Sequence, residues 1–167
     1  MRRAGFLVFD SVTMLDVSGP AEVFSRARGY ELVMLSPSGA DAATGTGTGL
    51  TITGALPVTR EVAATLDTVI IPGSDTLPER PWDPDLLDAA AVLADGPGRV
   101  ARVRTGAFIL AELGLLDGRR ATTHWRNARD SGFGSGESLR RAFDRHLQTT
   151  PSESGIRPWN PLLGTTH

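Results

Sequence analysis

The sequence RVARVRTGA, residues 99–107, changes from an apolar-rich, strand-like pattern to Thr-Gly-Ala, and FILAELG then follows with helical spacing. A strand that turns sharply into a helix can hold one side chain up at the turn, which is the geometry of a nucleophile elbow. The tip of this predicted elbow is Arg104, where a nucleophile would have to be Cys or Ser. The segment therefore predicts the architecture of an active site without its reactive atom.

Strand-like and helical patterns alternate on both sides of the elbow. Short apolar runs predict strands over residues 5–9, 30–35, 50–53, 68–71 and 121–124. Helices are predicted to begin at Gly19-Pro20, near Asp83 and at Thr105, with a short helical link over residues 56–67. This alternation predicts an α/β fold, a parallel sheet with helices on both faces.

Ligands of such sheets bind at the carboxyl ends of the strands. The residues that follow predicted strand ends, and that we expect to converge on one site, are Asp16, Gly73, Ser74, Arg104, Thr105 and His124. In that arrangement the N–H of Thr105, with that of Gly73 or Ser74, would stabilise an oxyanion. His124 would be the base and Asp16 its acid partner. The alternative for His124 is a structural histidine, hydrogen-bonded at a strand end.

Arg104 cannot attack a carbonyl, because its guanidinium is protonated at any physiological pH. It could bind a carboxylate or phosphate bidentately, which would make the pocket a sensor; the alternative is that its side chain only packs outward. Arg102 lies on the strand before the elbow, where burial on both faces is expected. A partner such as Glu112 or Asp16 would then be needed to compensate the buried charge.

Composition limits the class of protein. The 167 residues suffice for one domain with a small appendage, and no apolar run approaches the roughly 20 residues of a membrane span, so we expect a cytoplasmic protein. The sequence has no cysteine, which excludes disulfides, thiolate metal sites and a cysteine nucleophile. The three histidines, His124, His146 and His167, have no metal-ligand spacing, and we expect neither a metal nor a cofactor.

Charge is unevenly distributed along the chain. Residues 1–118 contain 9 Arg and 15 Asp or Glu, a balance of −6, whereas residues 119–167 contain 8 Arg and 4 Asp or Glu, a balance of +4. Within residues 131–147, Leu139, Phe143 and Leu147 form a helical apolar stripe, and arginines lie on the opposite face. An acidic body with a basic tail favours an anionic partner for the tail, although a solvated Arg-rich helix has the same pattern.

Three motifs establish a family resemblance. LDVSGPAEVF (15–24), TVIIPGS (68–74) and VRTGAFILAELGLLDGRRATTHW (103–125) resemble the PfpI-like branch of the class I glutamine amidotransferase-like superfamily. The version nearest this sequence is the N-terminal domain of AraC-type transcriptional regulators, and isonitrile hydratases share the fold and motifs. The resemblance implies a flavodoxin-like fold over residues 1–127. The resemblance also implies that this domain is incomplete, because the sequence after His124 does not resemble the family's later strands and helices.

The same resemblance bears on catalysis. Catalytic relatives have Cys at the elbow, partnered by an acid at the position of Asp16, and Arg104 replaces that Cys here. The resemblance therefore implies a pseudoenzyme rather than an enzyme. Its degenerate site would comprise Asp16, Gly73, Arg104, Thr105 and His124.

The tail has a resemblance of its own. ARDSGFGSGESLRRAFDRHLQTTPSE (128–153) resembles the later part of the second helix-turn-helix of the AraC family. There, the helix matching residues 137–147 is presented to the DNA major groove. This implies DNA contacts by Glu137, Ser138, Arg140, Arg141 and Arg145. No other part of the sequence resembles the family's DNA-binding region, so the resemblance implies a regulator that is shortened internally. Residues 154–167 are predicted to be irregular.

We expect a DNA-binding regulator of the AraC type, whose catalytically inactive PfpI-like domain senses a small-molecule effector or dimerises. DNA binding through the basic helix alone would be weak, and the chain would be a homodimer without membrane association. The alternative from another class of protein is an enzyme of the isonitrile hydratase or amidase kind. The missing nucleophile argues against this alternative. A third alternative is an inert domain whose shortened sheet exposes an edge.

Overall fold

The structure is a computed structural model that describes residues 1–45, 47–77, 82–96 and 98–116. The predicted strand over residues 121–124 and the predicted DNA-contacting helix over 137–147 lie outside these ranges, as do all three histidines.

The short apolar runs form a parallel sheet. The strands are β1 (Arg2–Leu7), β2 (Tyr30–Ser36), β3 (Ala42–Ala43), β4 (Thr51–Ile52), β5 (Leu56–Pro57), β6 (Thr68–Ile71) and β7 (Arg99–Arg102). Within the described ranges the main sheet has the order β5-β2-β1-β6-β7, and each neighbouring pair in it is parallel. β3 and β4 form a separate antiparallel ribbon. The predicted α/β fold with a parallel sheet is confirmed.

In the part of the chain that the structure describes, three helices lie between strands of the main sheet, and a fourth follows β7. They are α1 (Met14–Arg26), α2 (Arg60–Ala63), α3 (Pro84–Asp95) and α4 (Gly106–Glu112). The start of α3 follows from its sequence: the Asp83 side chain accepts a hydrogen bond from the Asp85 N–H at 3.0 Å, and Pro84 occupies the first turn, where its missing N–H costs nothing.

The core lies on both faces of the central strands. All four residues of β6 are buried, as are the last four of β1. A continuous apolar run of this kind is typical of a parallel strand covered by helices on both sides. From α3, residues Leu86, Ala89, Ala90 and Leu93 are buried, which is one helical face.

Besides the first strand, which is Arg2–Leu7 rather than residues 5–9, two predicted helices have the wrong bounds. The first helix begins at Met14, not at Gly19-Pro20, and contains Pro20 in its interior. A proline there removes one helical hydrogen bond, and the helix forms in spite of that loss. The predicted helical link over residues 56–67 is the second error: Leu56–Pro57 pairs with β2 as a strand, and only Arg60–Ala63 is helical. Proline is tolerated in an edge strand, and β5 is an outer strand of the described part of the sheet.

Gly106 permits the closest approach between α4 and β6. A Cβ atom at this position would overlap the carbonyl oxygen of Ile71 and lie 2.8 Å from that of Pro72. Both neighbours are backbone atoms, which cannot move aside as a flexible side chain can. The start of α4 can therefore sit against the end of β6 only because residue 106 has no side chain.

Gly106→Ala is expected to destabilise the protein by about 1–3 kcal/mol, the usual cost of overpacking. Urea unfolding measures this as a lower midpoint. Gly19→Ala is the matched control, because Gly19 is also helical and its nearest neighbour, the Leu15 side chain, would be 4.0 Å from the new Cβ. Alanine is favoured over glycine in a helix, so this control should unfold at the wild-type midpoint or above it. Equal midpoints for the two variants would contradict the packing role of Gly106.

Candidate functional site

The predicted elbow is present in the structure. β7 ends at Arg102, α4 begins at Gly106, and Arg104 lies between them with φ +47°. A non-glycine residue in this left-handed region is strained, and such strain is concentrated at functional sites. The Val103 N–H donates to the Ile71 carbonyl at 2.9 Å, which extends the pairing of β6 and β7 up to the turn. The strand–turn–helix geometry inferred from the sequence is therefore confirmed.

Thr105 joins the elbow to the turn that follows β6. Its side chain is buried; Oγ1 accepts a hydrogen bond from the Ser74 N–H at 2.9 Å and donates one to the Ser74 carbonyl at 2.7 Å. This corrects one expectation, because the Ser74 N–H is already bonded and is not available to an oxyanion. The Ser74 hydroxyl is also engaged, since it donates to the Ser11 carbonyl at 2.6 Å.

The first turn of α1 brings Asp16 to the same place. The Thr13 N–H donates to the Gly73 carbonyl at 2.9 Å and ties the start of α1 to the turn after β6. A Cβ at Gly73 would lie 2.6 Å from Asp16 Oδ2 and 2.7 Å from Thr105 Oγ1. Asp16, Gly73 and Thr105 therefore meet at a point where a larger residue than glycine does not fit.

The Arg104 guanidinium lies across this site and contacts two carboxylates. Its Nη1 is 3.5 Å from Asp16 Oδ2 and 3.4 Å from Thr13 Oγ1, and its Nη2 is 3.2 Å from Asp75 Oδ1. Asp16 is buried, whereas the Asp75 side chain is 74% exposed. The arginine side chain, 32% exposed, thus bridges the interior and the surface.

Burial dominates the electrostatics of Asp16. Desolvation raises the pKa of the Asp16 carboxyl, and the Arg104 guanidinium and the Gly73 N–H oppose that rise. Among the described residues Asp16 Oδ2 has no hydrogen-bond partner, so the guanidinium at 3.5 Å compensates it by charge rather than by a short hydrogen bond. The two carboxylates and one guanidinium sum to a charge of −1 when all are ionised. Arg104 therefore pairs with Asp16 and Asp75 and leaves little positive charge free to bind an external anion.

The structure brings together five of the predicted site residues, Asp16, Gly73, Ser74, Arg104 and Thr105, and His124 lies outside the described residues. The predicted DNA contacts Glu137, Ser138, Arg140, Arg141 and Arg145 also lie outside them. Sequence reasoning missed Asp75 and Thr13 as partners of Arg104. The one signal for Asp75 was its position directly after the turn residues Gly73 and Ser74.

The expected burial of β7 on both faces is wrong. Exposed and half-buried residues alternate along it, because β7 is the outer strand of the described part of the sheet. Arg102 is half-buried, and desolvation lowers its pKa. It lies in the strand and not at the tip of the elbow, so Arg104 alone of the two occupies the nucleophile position.

Neither a metal-binding cluster nor a membrane-spanning helix is found within the described ranges. No group of three or more His, Cys, Asp or Glu side chains there could hold a metal ion. No helix in the same ranges combines the length and the apolar character needed to cross a membrane.

Comparison with known proteins identifies the family. A family model of the DJ-1/PfpI family matches residues 2–138. The chain belongs to the DJ-1/PfpI family. A protein of Streptomyces lividans, described as an uncharacterized protein in the cpoL 5' region, is 44% identical over 131 residues, which cover 75% of this chain and 89% of that protein.

An isonitrile hydratase of Pseudomonas putida is 32% identical over 121 residues, which cover 72% of this chain. They cover 51% of the hydratase, so the match extends over about half the length of that enzyme. Among solved structures, an AraC family transcriptional regulator from Pseudomonas putida superposes with a TM-score of 0.59 at 19% identity. The superposition covers 81% of this chain and 73% of the regulator, and it shows a shared fold.

The charge compensation in this DJ-1/PfpI domain leads to a pH-dependent prediction. Arg104→Ala leaves the Asp16 carboxylate buried without its cation, and we expect a loss of about 1–3 kcal/mol at pH 7, part of the usual cost of breaking a buried pair because Arg104 is partly exposed. In the folded variant the pKa of Asp16 should be higher than in the folded wild type, and so further above the unfolded value of about 3.9. The loss therefore shrinks as the pH falls through the folded-state pKa of the variant and vanishes below the folded-state pKa of the wild type.

Urea unfolding at several pH values measures this dependence. Asp75→Ala removes the other carboxylate partner of Arg104 and is the matched control. Because Asp75 is exposed, its loss should cost less than about 1 kcal/mol at any pH. A destabilisation by Arg104→Ala that is the same at acid and neutral pH would show that Arg104 does not compensate Asp16.

Proposed function

We propose that this chain is a DNA-binding transcriptional regulator of the AraC type, with a DJ-1/PfpI domain that has no catalytic activity. In this proposal the domain senses a small-molecule effector or holds two copies of the chain together as a homodimer. The basic segment after it contacts DNA weakly. The protein acts in the cytoplasm and needs no metal or cofactor.

The observation that carries the proposal is the identity and pairing of the elbow residue. A catalytic elbow presents a nucleophile with an adjacent base. Here the strained position holds Arg104, whose guanidinium contacts Asp16 and Asp75. An always-protonated side chain cannot attack an electrophile. Without a nucleophile, the elbow serves as a rigid frame for ligand binding. An effector that displaces the guanidinium from Asp16 or Asp75 leaves that carboxylate without its counter-charge.

The proposed role of the tail rests on its sequence. Residues 119–167 have a balance of +4, against −6 in the rest of the chain, and residues 128–153 resemble part of an AraC-type helix-turn-helix. Basic side chains on one helical face suit the DNA backbone. The fold of the domain also occurs in the AraC family regulator from Pseudomonas putida. A chain that combines this domain with a DNA-binding tail is therefore compatible with a regulator.

The full chain is expected to bind duplex DNA with a dissociation constant in the non-specific range, roughly 10⁻⁴ to 10⁻⁶ M. Replacing Arg140, Arg141 and Arg145 together by Ala should weaken binding, and the slope of log affinity against log salt should fall by about 0.9 for each phosphate that is no longer neutralised. A gel-shift series over salt concentration measures both effects.

The matched control removes the same charge from the body of the protein. Arg26, Arg28 and Arg60 are exposed residues of the described domain, and their joint replacement by Ala should leave the salt slope unchanged. If the salt slope falls equally in the two triple variants, the tail is not the DNA-binding element. Affinity that does not depend on salt would contradict phosphate binding altogether.

The second candidate function is catalysis, and the 32% identity with an isonitrile hydratase is the observation that favours it. Under our proposal the wild-type chain does not hydrate isonitriles. Arg104→Cys tests how much of the catalytic architecture remains, because it places a thiol at the elbow beside Asp16 and Thr105. We expect no turnover from this variant either, since the Ser74 N–H is already bonded to Thr105 and the Gly73 N–H is directed at the Asp16 carboxylate.

An assay for N-substituted formamide, the product of isonitrile hydration, compares wild type, Arg104→Cys and Arg104→Ser. Turnover by the wild-type protein would overturn the proposed function. Turnover confined to the Cys variant would show a competent site that lacks only its nucleophile, and the expectation for that variant would then be wrong.

A further inference from the structure

A second polar cavity lies at the opposite edge of the sheet from the elbow. Parallel strands all begin at the same edge, and here the first residues of neighbouring strands come together. The cavity has a volume of about 200 Å³ and is lined by Arg2, Tyr30, Asp67, Thr68, Gly98 and Arg99. None of these residues belongs to the elbow site.

The strand register places the polar side chains on one face. Arg2 pairs with Tyr30, and Ala4 pairs with Thr68, which in turn pairs with Arg99. Directly paired residues of neighbouring strands share a face, and so do residues two apart in one strand. Arg2, Tyr30, Thr68 and Arg99 therefore project to the same side of the sheet. The ring contacts agree with this, because Phe24 packs against both Tyr30 and Phe6, which follows Arg2 by four residues.

Donors dominate the chemistry of the cavity. Arg2 Nη1 lies 3.5 Å from the Tyr30 hydroxyl, and the Arg99 side chain is exposed with no charged partner among the described residues. Asp67 is the one acid of the lining, and its Oδ2 already accepts a hydrogen bond from the Arg3 N–H at 2.7 Å. Two guanidiniums and one carboxylate leave a lining charge of +1.

We propose that this cavity binds a phosphate group. Pockets for drug-sized molecules measure roughly 300–1,000 Å³, so this smaller space suits a compact ion or the head of a phosphate monoester. Arg2 and Arg99 approach it from two strands on either side of β6, and guanidinium groups bind phosphate oxygens through charge-assisted hydrogen bonds. The Tyr30 hydroxyl adds a neutral donor next to Arg2.

Isothermal titration calorimetry of the full chain with inorganic phosphate tests this site, with chloride of equal ionic strength as the reference. We expect saturable binding to the wild type. Arg99→Ala should weaken it about tenfold or more, as expected for the loss of a charge-assisted hydrogen bond. Tyr30→Phe retains the ring that packs on Phe24 and should weaken binding by a smaller factor. Arg60→Ala, which removes an exposed arginine outside the cavity, should leave the affinity unchanged.

A second arm uses glycerol phosphate in place of inorganic phosphate. Tighter binding of the ester would identify an esterified ligand, and tighter binding of inorganic phosphate would identify the free ion. In both cases affinity should fall between pH 7.5 and pH 5, because both compounds take up a proton in this range and lose their second negative charge. The absence of saturable binding of either compound overturns the proposal, and so does an equal loss of affinity in Arg60→Ala and Arg99→Ala.

Discussion

A buried carboxylate that requires a counter-charge is the constraint on which the site depends. Asp16 is 3% exposed, and burial raises its pKa. The compensating group is the Arg104 guanidinium, 3.5 Å away, and the elbow delivers it by holding Arg104 at φ +47°. Backbone strain of that kind costs of order 1–3 kcal/mol and persists only where the surrounding structure enforces it. The position that presents a reactive atom in a catalytic elbow thus presents a counter-ion here.

The surrounding fold enforces this geometry through close backbone contacts. Gly106 lets α4 start against the carbonyl groups at the end of β6, and Gly73 leaves room for Asp16 and Thr105 in the next turn. The paired hydrogen bonds between Thr105 and Ser74 then lock the elbow to that turn. These contacts involve backbone and buried hydroxyl groups and do not depend on the identity of residue 104. This explains how the strand–turn–helix geometry of the elbow persists with an arginine at its tip.

Local patterns in the sequence predicted much of the fold and the position of the elbow. The strand over residues 68–71 has its predicted bounds because four apolar residues end at Pro72-Gly73. The start of α1 was mispredicted, since proline usually marks a first helical turn and Pro20 lies within this helix instead. The pairing of Arg104 with Asp75 was not predictable, because it joins two loops through tertiary contact and leaves no periodic signal. The bonded state of the Ser74 N–H likewise depends on the packing of β6 against α4.

The central claim is that Arg104 compensates the buried charge of Asp16. A carbon-13 NMR titration of the Asp16 side-chain carboxyl, in the wild type and in Arg104→Ala, tests it most directly. The account predicts a wild-type pKa above the ordinary aspartate value of about 3.9, and a further rise when the guanidinium is removed. An Asp16 carboxyl that titrates at or below the ordinary value, or whose pKa is the same in both proteins, would contradict it.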